Sequence, residues 1–415
     1  MADAVILAYS GGLDTSVAIR WIREKYGLDV IAVTVDVGNE RDFEAIREKA
    51  LRTGAIKAYV DDARAQFVSD FVFPALEADA VYQGAYPLAT ALARPLIAKI
   101  LVDHARREGA RAVAHGCTGK GNDQVRFDVS IKALAPELKI IAPVREWRMT
   151  RDEEITYAQQ HDIPVPVTAS SPYSVDANLW GRSIEAGVLE DPWNEPPEDA
   201  FAWTIEPRHA RNEPTYVEIE FERGLPVAVD GERQDGVTMV THLNELAGSH
   251  GVGRIDHVED RLVGIKSREV YEAPAATVLL AAHAALQELT LSREQLRFKQ
   301  LVAAEMAQLI YDGRMFSGHY RDLSYYVAST QRYVTGLVRM RLFKGQAVAV
   351  GRSSPRSLYD FGLATYETGD EFPHDAAVHF IELFSQGLRT QARVQLGAGQ
   401  SSEIRRLTAP TIEDE

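Results

Sequence analysis

Over roughly the first 165 positions, apolar residues fall into short unbroken runs separated by longer amphipathic stretches. The runs Ala4–Ala8, Val30–Val35, Ala58–Val60, Ala112–His115 and Ile140–Pro143 predict buried strands. Between them, Asp42–Thr53, Arg94–Glu108 and Arg151–His161 repeat their apolar positions at helical spacing. Buried strands alternating with helices predict an α/β fold, a parallel sheet covered by helices on both faces. Such sheets bind ligands outside the carboxyl ends of their strands. The segments "AYSGG", "VDVG" and "AHGCTGKGND" all leave strands at that edge and are expected to meet there.

A Pro-rich passage, "HDIPVPVTASSPYSVDANL", breaks the rhythm and marks a domain boundary, placed at residues 168 and 169. Beyond it, "YVEIEFERGLPVAVDG" alternates in twos around turn residues and predicts an antiparallel hairpin. Helices over Ala275–Leu289 and Arg293–Tyr311 and strands over Val334–Leu342 and Gln346–Gly351 make the second domain, to residue 373, α+β. The tail, 374–415, holds one apolar-periodic stretch, Ala376–Leu388, then polar residues without periodicity: a docking helix and a mobile end.

Composition narrows the class without changing this picture. The 415 residues are 46% hydrophobic and 25% charged, as in soluble globular proteins. A single cysteine, Cys117, excludes an intramolecular disulfide framework. The chain lacks a signal-peptide pattern and any apolar run of about 18 residues, so a cytoplasmic location is expected, with no membrane partner. A net charge of −15 argues against nucleic acid as a partner. It also requires any site for anions to be locally positive.

The stretch Ala8-Tyr9-Ser10-Gly11-Gly12-Leu13-Asp14-Thr15-Ser16 joins the first strand to a helix. No Lys follows its glycines, so it is not the phosphate loop G-x-x-x-x-G-K-[ST], and it is not G-x-G-x-x-G either. Free amides at the helix N-terminus and the hydroxyls of Ser10, Thr15 and Ser16 would suit phosphate oxygens. Asp14 could help hold Mg²⁺ or cap the helix; the plainer reading is a glycine turn with Asp14 and Thr15 as ordinary caps. The string S-G-G-x-D-[ST] resembles the pyrophosphate loop of the N-type ATP pyrophosphatases, which cleave ATP between the α and β phosphates and transfer AMP to an oxygen. That group has an adenine nucleotide alpha hydrolase-like fold.

A second string, "AHGCTGKGNDQVRF", packs small residues with Lys120, Asn122, Asp123 and Arg126. Small residues let the backbone approach a ligand, and the two cations supply the local positive charge. This string resembles the argininosuccinate synthase family, as do "IAPVREW", "SPYSVDANLWGRSIEAGVLEDPW", "HGVGRIDHVEDRLVGIKSREVYEAPA" and "KGQAVAVGRSSPRSLYD", a likeness over about residues 4 to 385. The resemblance implies a ligase that condenses L-citrulline with L-aspartate through citrullyl-AMP, using ATP and Mg²⁺, and a homotetramer. It assigns ATP to Ala8–Ser16, Val35 (against adenine), Gly116, Thr118, Gly119, Lys120, Gly121 and Asn122. It assigns aspartate to Thr118, Asn122 and Asp123, and citrulline to Tyr86, Asn122, Arg126, Ser174, Ser183, Glu259 and Tyr271. Arg126 would grip the citrulline carboxylate in a bidentate fork and Glu259 its ammonium. Asp14 and Asp123 are the catalytic candidates, Asp123 as the nearest group to accept or orient an amine proton; the sequence identifies no metal ligands.

Plainer roles stay open for several of these. Glu259 could lie on a solvated face, Tyr271 could be packing, Cys117 a space-filler and His115 a satisfied core histidine. Ala91 stands where the family often has a citrulline-binding Ser, leaving Thr90 as a substitute, and Glu269 stands where Gly is frequent. A tRNA-thiolating relative would need paired reactive cysteines and a basic face; a nucleotide sensor would not need the second-domain residues.

Overall fold

A computed structural model of the chain describes residues 3–39, 41–164 and 172–396. Part of the Pro-rich boundary passage and the polar end of the tail lie outside the described residues. The chain divides into two compact units, Met1–Leu358 and Tyr359–Glu415.

The first unit opens with β1 (Ala4–Ala8), α1 (Leu13–Tyr26), β2 (Asp29–Asp36), α2 (Phe43–Thr53) and β3 (Lys57–Asp62). It continues through α3 (Ala89–Glu108), β4 (Ala112–Ala114), α4 (Asn122–Leu134), β5 (Lys139–Ile141) and α5 (Arg151–Gln160). The strands form a parallel sheet in the order β3-β2-β1-β4-β5. Val5, Ile6 and Leu7 of β1 are fully buried, as a central strand covered on both faces requires. Chain order reverses between β1 and β4, and a crevice opens at such a switch point. The two strings singled out in the sequence follow those two strands.

The helix expected over Arg94–Glu108 begins earlier, at Ala89, and carries Pro95 inside it. Pro95 removes one backbone donor, which favours placing a helix start next to it. Burial decides otherwise: Ala91, Leu92, Ala93 and Leu96 are fully buried. Each such leucine stabilises the fold by about 1.5–3 kcal/mol, comparable with the cost of the proline. Pro143, expected to end the last strand, instead opens the short helix Pro143–Trp147.

Beyond the sheet lie β6 (Ser174–Asn178), β7 (Gly181–Glu185), β8 (Thr215–Glu222), β9 (Leu225–Val229) and β10 (Glu232–Arg233). They are followed by β11 (Arg254–Asp260), β12 (Lys266–Glu272), α6 (Pro274–Thr290), α7 (Arg293–Tyr311), β13 (Gly336–Phe343) and β14 (Gln346–Ser353). The strands make two antiparallel sheets, β10-β9-β8-β13-β14 and β11-β12-β7-β6. The expected hairpin is β8–β9, turned by Arg223 and Gly224, both at positive φ. The four-stranded sheet matters most for the site. Asp176, Ser183 and Tyr271 are paired across β6, β7 and β12, so they share one face. With a period of two, Glu185 and Glu269 lie on that face as well.

The second unit contains α8 (His374–Gln391), 18 residues long, which buries none of its side chains. Ile381, Phe384 and Leu388 form an exposed stripe at helical spacing. Among the described residues no helix is long and apolar enough to cross a membrane.

Candidate functional site

The first loop turns at Gly11, where φ is +76°, and Gly12 is the residue before the first turn of α1. No side chain caps that helix, so neither Asp14 nor Thr15 is an N-cap, and the plainer reading of the loop fails. The amides of Leu13, Asp14 and Thr15 therefore face out at the positive end of the helix dipole. The hydroxyls divide in two. Ser10 Oγ lies 3.2 Å from Thr15 Oγ1, both beside the loop. Ser16 is fully buried, donates to the Gly12 carbonyl at 2.7 Å and lies 3.0 Å from the Tyr9 hydroxyl. The Ser16 hydroxyl thus braces the turn and does not face a ligand, a correction to the sequence expectation.

Two cations reach this loop that no motif announced. Arg41 donates to the Ser10 carbonyl at 3.2 Å, and Lys49 to the Gly11 carbonyl at 2.7 Å. In the sequence they look like any charges beside or on an amphipathic helix. Asp14 turns to Glu154 of α5, whose carboxyl is pushed up to about 8 by burial, by its hydrogen bond with Asp14 and by the Asp14 charge. Among the described residues no group of three or more His, Cys, Asp or Glu side chains is disposed to hold a metal ion.

A cavity of about 210 Å³ sits over the sheet edge, walled by Ala8, Tyr9, Ser10, Thr15, Val35 and Gly116, all nucleotide candidates. Gly116 belongs to the second loop. A Cβ there would lie 2.9 Å from the Thr15 methyl, so the two loops meet as expected.

The second loop repeats the design of the first. After β4 the chain runs to Gly121, and α4 starts at Asn122 with no side-chain cap. His115 is fully buried, 2.8 Å from Asp128, and its other ring nitrogen accepts from the Cys117 amide at 3.3 Å, a satisfied core histidine. Burial pushes the Cys117 thiol up, with the Asp123 charge adding to it, which makes it a poor nucleophile.

Asn122, Asp123 and Arg126, on the first turns of α4, face a second cavity of about 260 Å³. Gly116, Thr118, Gly121, Tyr86, Thr90, Ser183, Glu259 and Tyr271 complete the predicted part of its wall. Gly11, Gly12, Leu13, Asp14, Ser16, Gly119, Lys120 and Ser174 are not in the wall of either cavity. Glu259 is 2% exposed, which excludes a solvated face. It accepts from Tyr271 and Tyr311, each at 2.6 Å, one phenol on each carboxylate oxygen. Tyr271 is therefore a donor as well as packing; its ring stacks on Tyr86 at 4.3 Å. Thr90 lies 2.7 Å from the Tyr86 hydroxyl.

Arg126 is 3% exposed. Its Nε donates to the Tyr311 carbonyl at 2.9 Å and its Nη1 to Asp123 at 3.0 Å, while Nη2 is buried without a partner. A buried guanidinium nitrogen left unpaired is costly, and a ligand carboxylate would satisfy it. Part of the expected fork is already engaged, and Nη2 is the nitrogen left without a partner for that carboxylate. Burial would raise the Asp123 carboxyl, but Arg94 and Arg126 outweigh it and hold it below the usual carboxylate range. Asp123 is thus suited to orienting an amine and poorly suited to accepting a proton near neutral pH, which revises its role as a base.

Two residues outside the expected set, Cys117 and Asp176, line both cavities together with Gly116. Arg94 donates to Asp123 at 2.8 Å and also to Asp176. Its place beside Pro95 gave no sign of this, and Asp176 sits unmarked within "SPYSVDANLW". At the far end, Arg261 bridges Glu185 and Glu269 at 2.5 and 2.6 Å. Burial and the Glu185 charge push the Glu269 carboxyl up to about 7.

Comparison with known proteins matches the chain in two segments. Residues 4–164 match the family described as "Arginosuccinate synthase N-terminal HUP domain", and residues 173–392 match "Arginosuccinate synthase C-terminal domain". The argininosuccinate synthase of Dehalococcoides mccartyi is 58% identical over 395 residues, 95% of this chain and 97% of that one. The enzyme of the same name from Symbiobacterium thermophilum is 58% identical over 391 residues, 94% and 98% of the two chains. That from Oceanobacillus iheyensis is 55% identical over 401 residues, 97% and 96%.

Proposed function

The chain belongs to the argininosuccinate synthase family, is a ligase and uses ATP, and on that premise we propose how its two cavities divide the reaction. ATP occupies the cavity over the sheet edge, with adenine against Val35 and the phosphates on the amides after Gly12. Citrulline occupies the second cavity, its carboxylate on Arg126 Nη2 and its ammonium on Glu259, and aspartate enters beside Thr118, Asn122 and Asp123. The observation that carries this reading is the shared wall. Gly116, Cys117 and Asp176 border both cavities, so a ureido oxygen in one can reach an α-phosphorus in the other.

The first step forms a bond from the ureido oxygen to the α-phosphorus and breaks the bond to pyrophosphate, giving citrullyl-AMP. The uncapped N-terminus of α1, with Lys49 and Arg41 close behind the loop, favours the negative charge that leaves. In the second step the aspartate amine attacks the ureido carbon that bears this oxygen, the carbon–oxygen bond breaks and AMP departs with the oxygen, leaving argininosuccinate once the new nitrogen has lost its proton. The paired Asp123 carboxylate orients that amine. Asp14 is the loop carboxylate that would hold Mg²⁺, which when bound with the nucleotide would offset the charge of its phosphates. The cytoplasm is the expected location.

Omitting substrates one at a time tests the order. ATP with citrulline, aspartate left out, is expected to yield pyrophosphate in a single turnover, and ATP with aspartate alone to yield none. Pyrophosphate formed with aspartate and without citrulline would contradict the assignment.

The exposed stripe on α8 supports a homotetramer in which each tail packs on another copy, because a helix in a protein draws most of its stability from packing its apolar face. Truncation before His374 is expected to give smaller species in sedimentation. An unchanged tetramer would remove the tail from the assembly.

A further inference from the structure

Tyr311 is the last residue of α7, fully buried, and belongs to neither of the two strings that mark the site. It does not line the citrulline cavity. Yet it touches three of the side chains assigned to that substrate. Its hydroxyl donates to Glu259 Oε1 at 2.6 Å and accepts from Asn122 Nδ2 at 2.8 Å. Its carbonyl accepts from Arg126 Nε at 2.9 Å, and the Arg126 guanidinium lies 4.7 Å from its ring centroid. The ring is fixed in turn by a parallel stack on Tyr82, 3.6 Å between centroids. Just beyond it, Gly313 lies so close to α4 that a Cβ would come within 2.7 Å of the Arg126 Cα.

We infer that Tyr311 is a positioning residue for citrulline, setting the Glu259 carboxylate and the Asn122 amide from behind the cavity wall. The physical need is plain. A carboxylate at 2% exposure requires donors on both oxygens; Tyr271 serves Oε2 from within the wall, and Tyr311 serves Oε1 from outside it. Without the Tyr311 hydroxyl, Oε1 keeps only Asn122 Nδ2 at 3.4 Å. The carboxylate and the amide would then close on each other and leave the positions that face the ammonium.

This inference rests on the reading of Asn122, Arg126 and Glu259 as citrulline contacts, and the test separates the two. Tyr311→Phe keeps the ring and its stack and removes one oxygen. It is expected to raise the citrulline KM about ten-fold, the lower end of a hydrogen bond to a charged group, with the KM values for ATP and aspartate unchanged and kcat altered less. Tyr82→Phe is the control, since the Tyr82 hydroxyl donates to the Asp260 carbonyl and not to Glu259. It is expected to leave the citrulline KM as it was. Glu259→Gln with Tyr311→Phe is expected to be no worse than Glu259→Gln alone, because Tyr311 acts through that carboxylate. If Glu259→Gln leaves the citrulline KM untouched, the site reading itself fails. If Glu259→Gln raises it and Tyr311→Phe does not, or Tyr311→Phe raises all three KM values alike, or the double variant is additive, the positioning role is overturned.

Discussion

Gly12→Val is expected to abolish ATP binding while the protein still folds. Gly12 has φ −71° and ψ 174°, an extended backbone that valine adopts readily. A Cβ at this position would meet only the Ser10 hydroxyl, 3.3 Å away. The residue is exposed and stands directly before the uncapped amides of α1, so the branched side chain would occupy the place proposed for phosphate. Neighbouring glycines make poorer tests. Gly11 lies at φ +76° with Ile46 only 3.1 Å from an added Cβ, and Gly116 would press on Thr15, so substitutions there strain the fold as well. Titration calorimetry with ATP, beside a thermal melt of the same variant, separates binding from folding. An unaltered melt with no detectable ATP binding is the expected pair; normal affinity would remove this loop from the nucleotide site.

Much of this arrangement was legible in the chain, for identifiable reasons. The strand Ala4–Ala8 and the helix Arg293–Tyr311 have the expected limits because apolar spacing and a capping residue, Ser292 for the helix, agree there. The two glycine strings were readable because small residues beside polar ones have few purely structural uses. Cross-chain partners were not readable. Ser16 looked like a phosphate hydroxyl, but its side chain points back to the Gly12 carbonyl and the Tyr9 hydroxyl. Arg126 looked like a free fork, and the Tyr311 carbonyl and Asp123 already engage part of it. Arg94 and Tyr311 carry no local signal; they matter because α3 and α7 bring them to α4. The start of α3 was misplaced because a proline near a helix start is a local rule, overridden by burial of the residues before it.

The charge distribution favours the nucleophile proposed for the first step. The second cavity is walled by Asp123, Asp176, Glu185, Glu259 and Glu269, against Arg126 and Arg261, with Arg94 behind Asp123 and Asp176. A carboxylate arriving as nucleophile would meet this surplus of negative charge and, across the shared wall, the triphosphate. A ureido group is neutral and meets neither repulsion, and the α-ammonium of citrulline is welcomed by the same carboxylates. Aspartate is therefore expected to react through its amine and only after citrulline has been activated.

Citrulline carrying heavy oxygen in its ureido group tests this most directly. The account predicts that each turnover delivers the labelled atom to AMP, because the bond formed to the α-phosphorus in the first step is the one that leaves with AMP in the second. Argininosuccinate formed together with unlabelled AMP would contradict it.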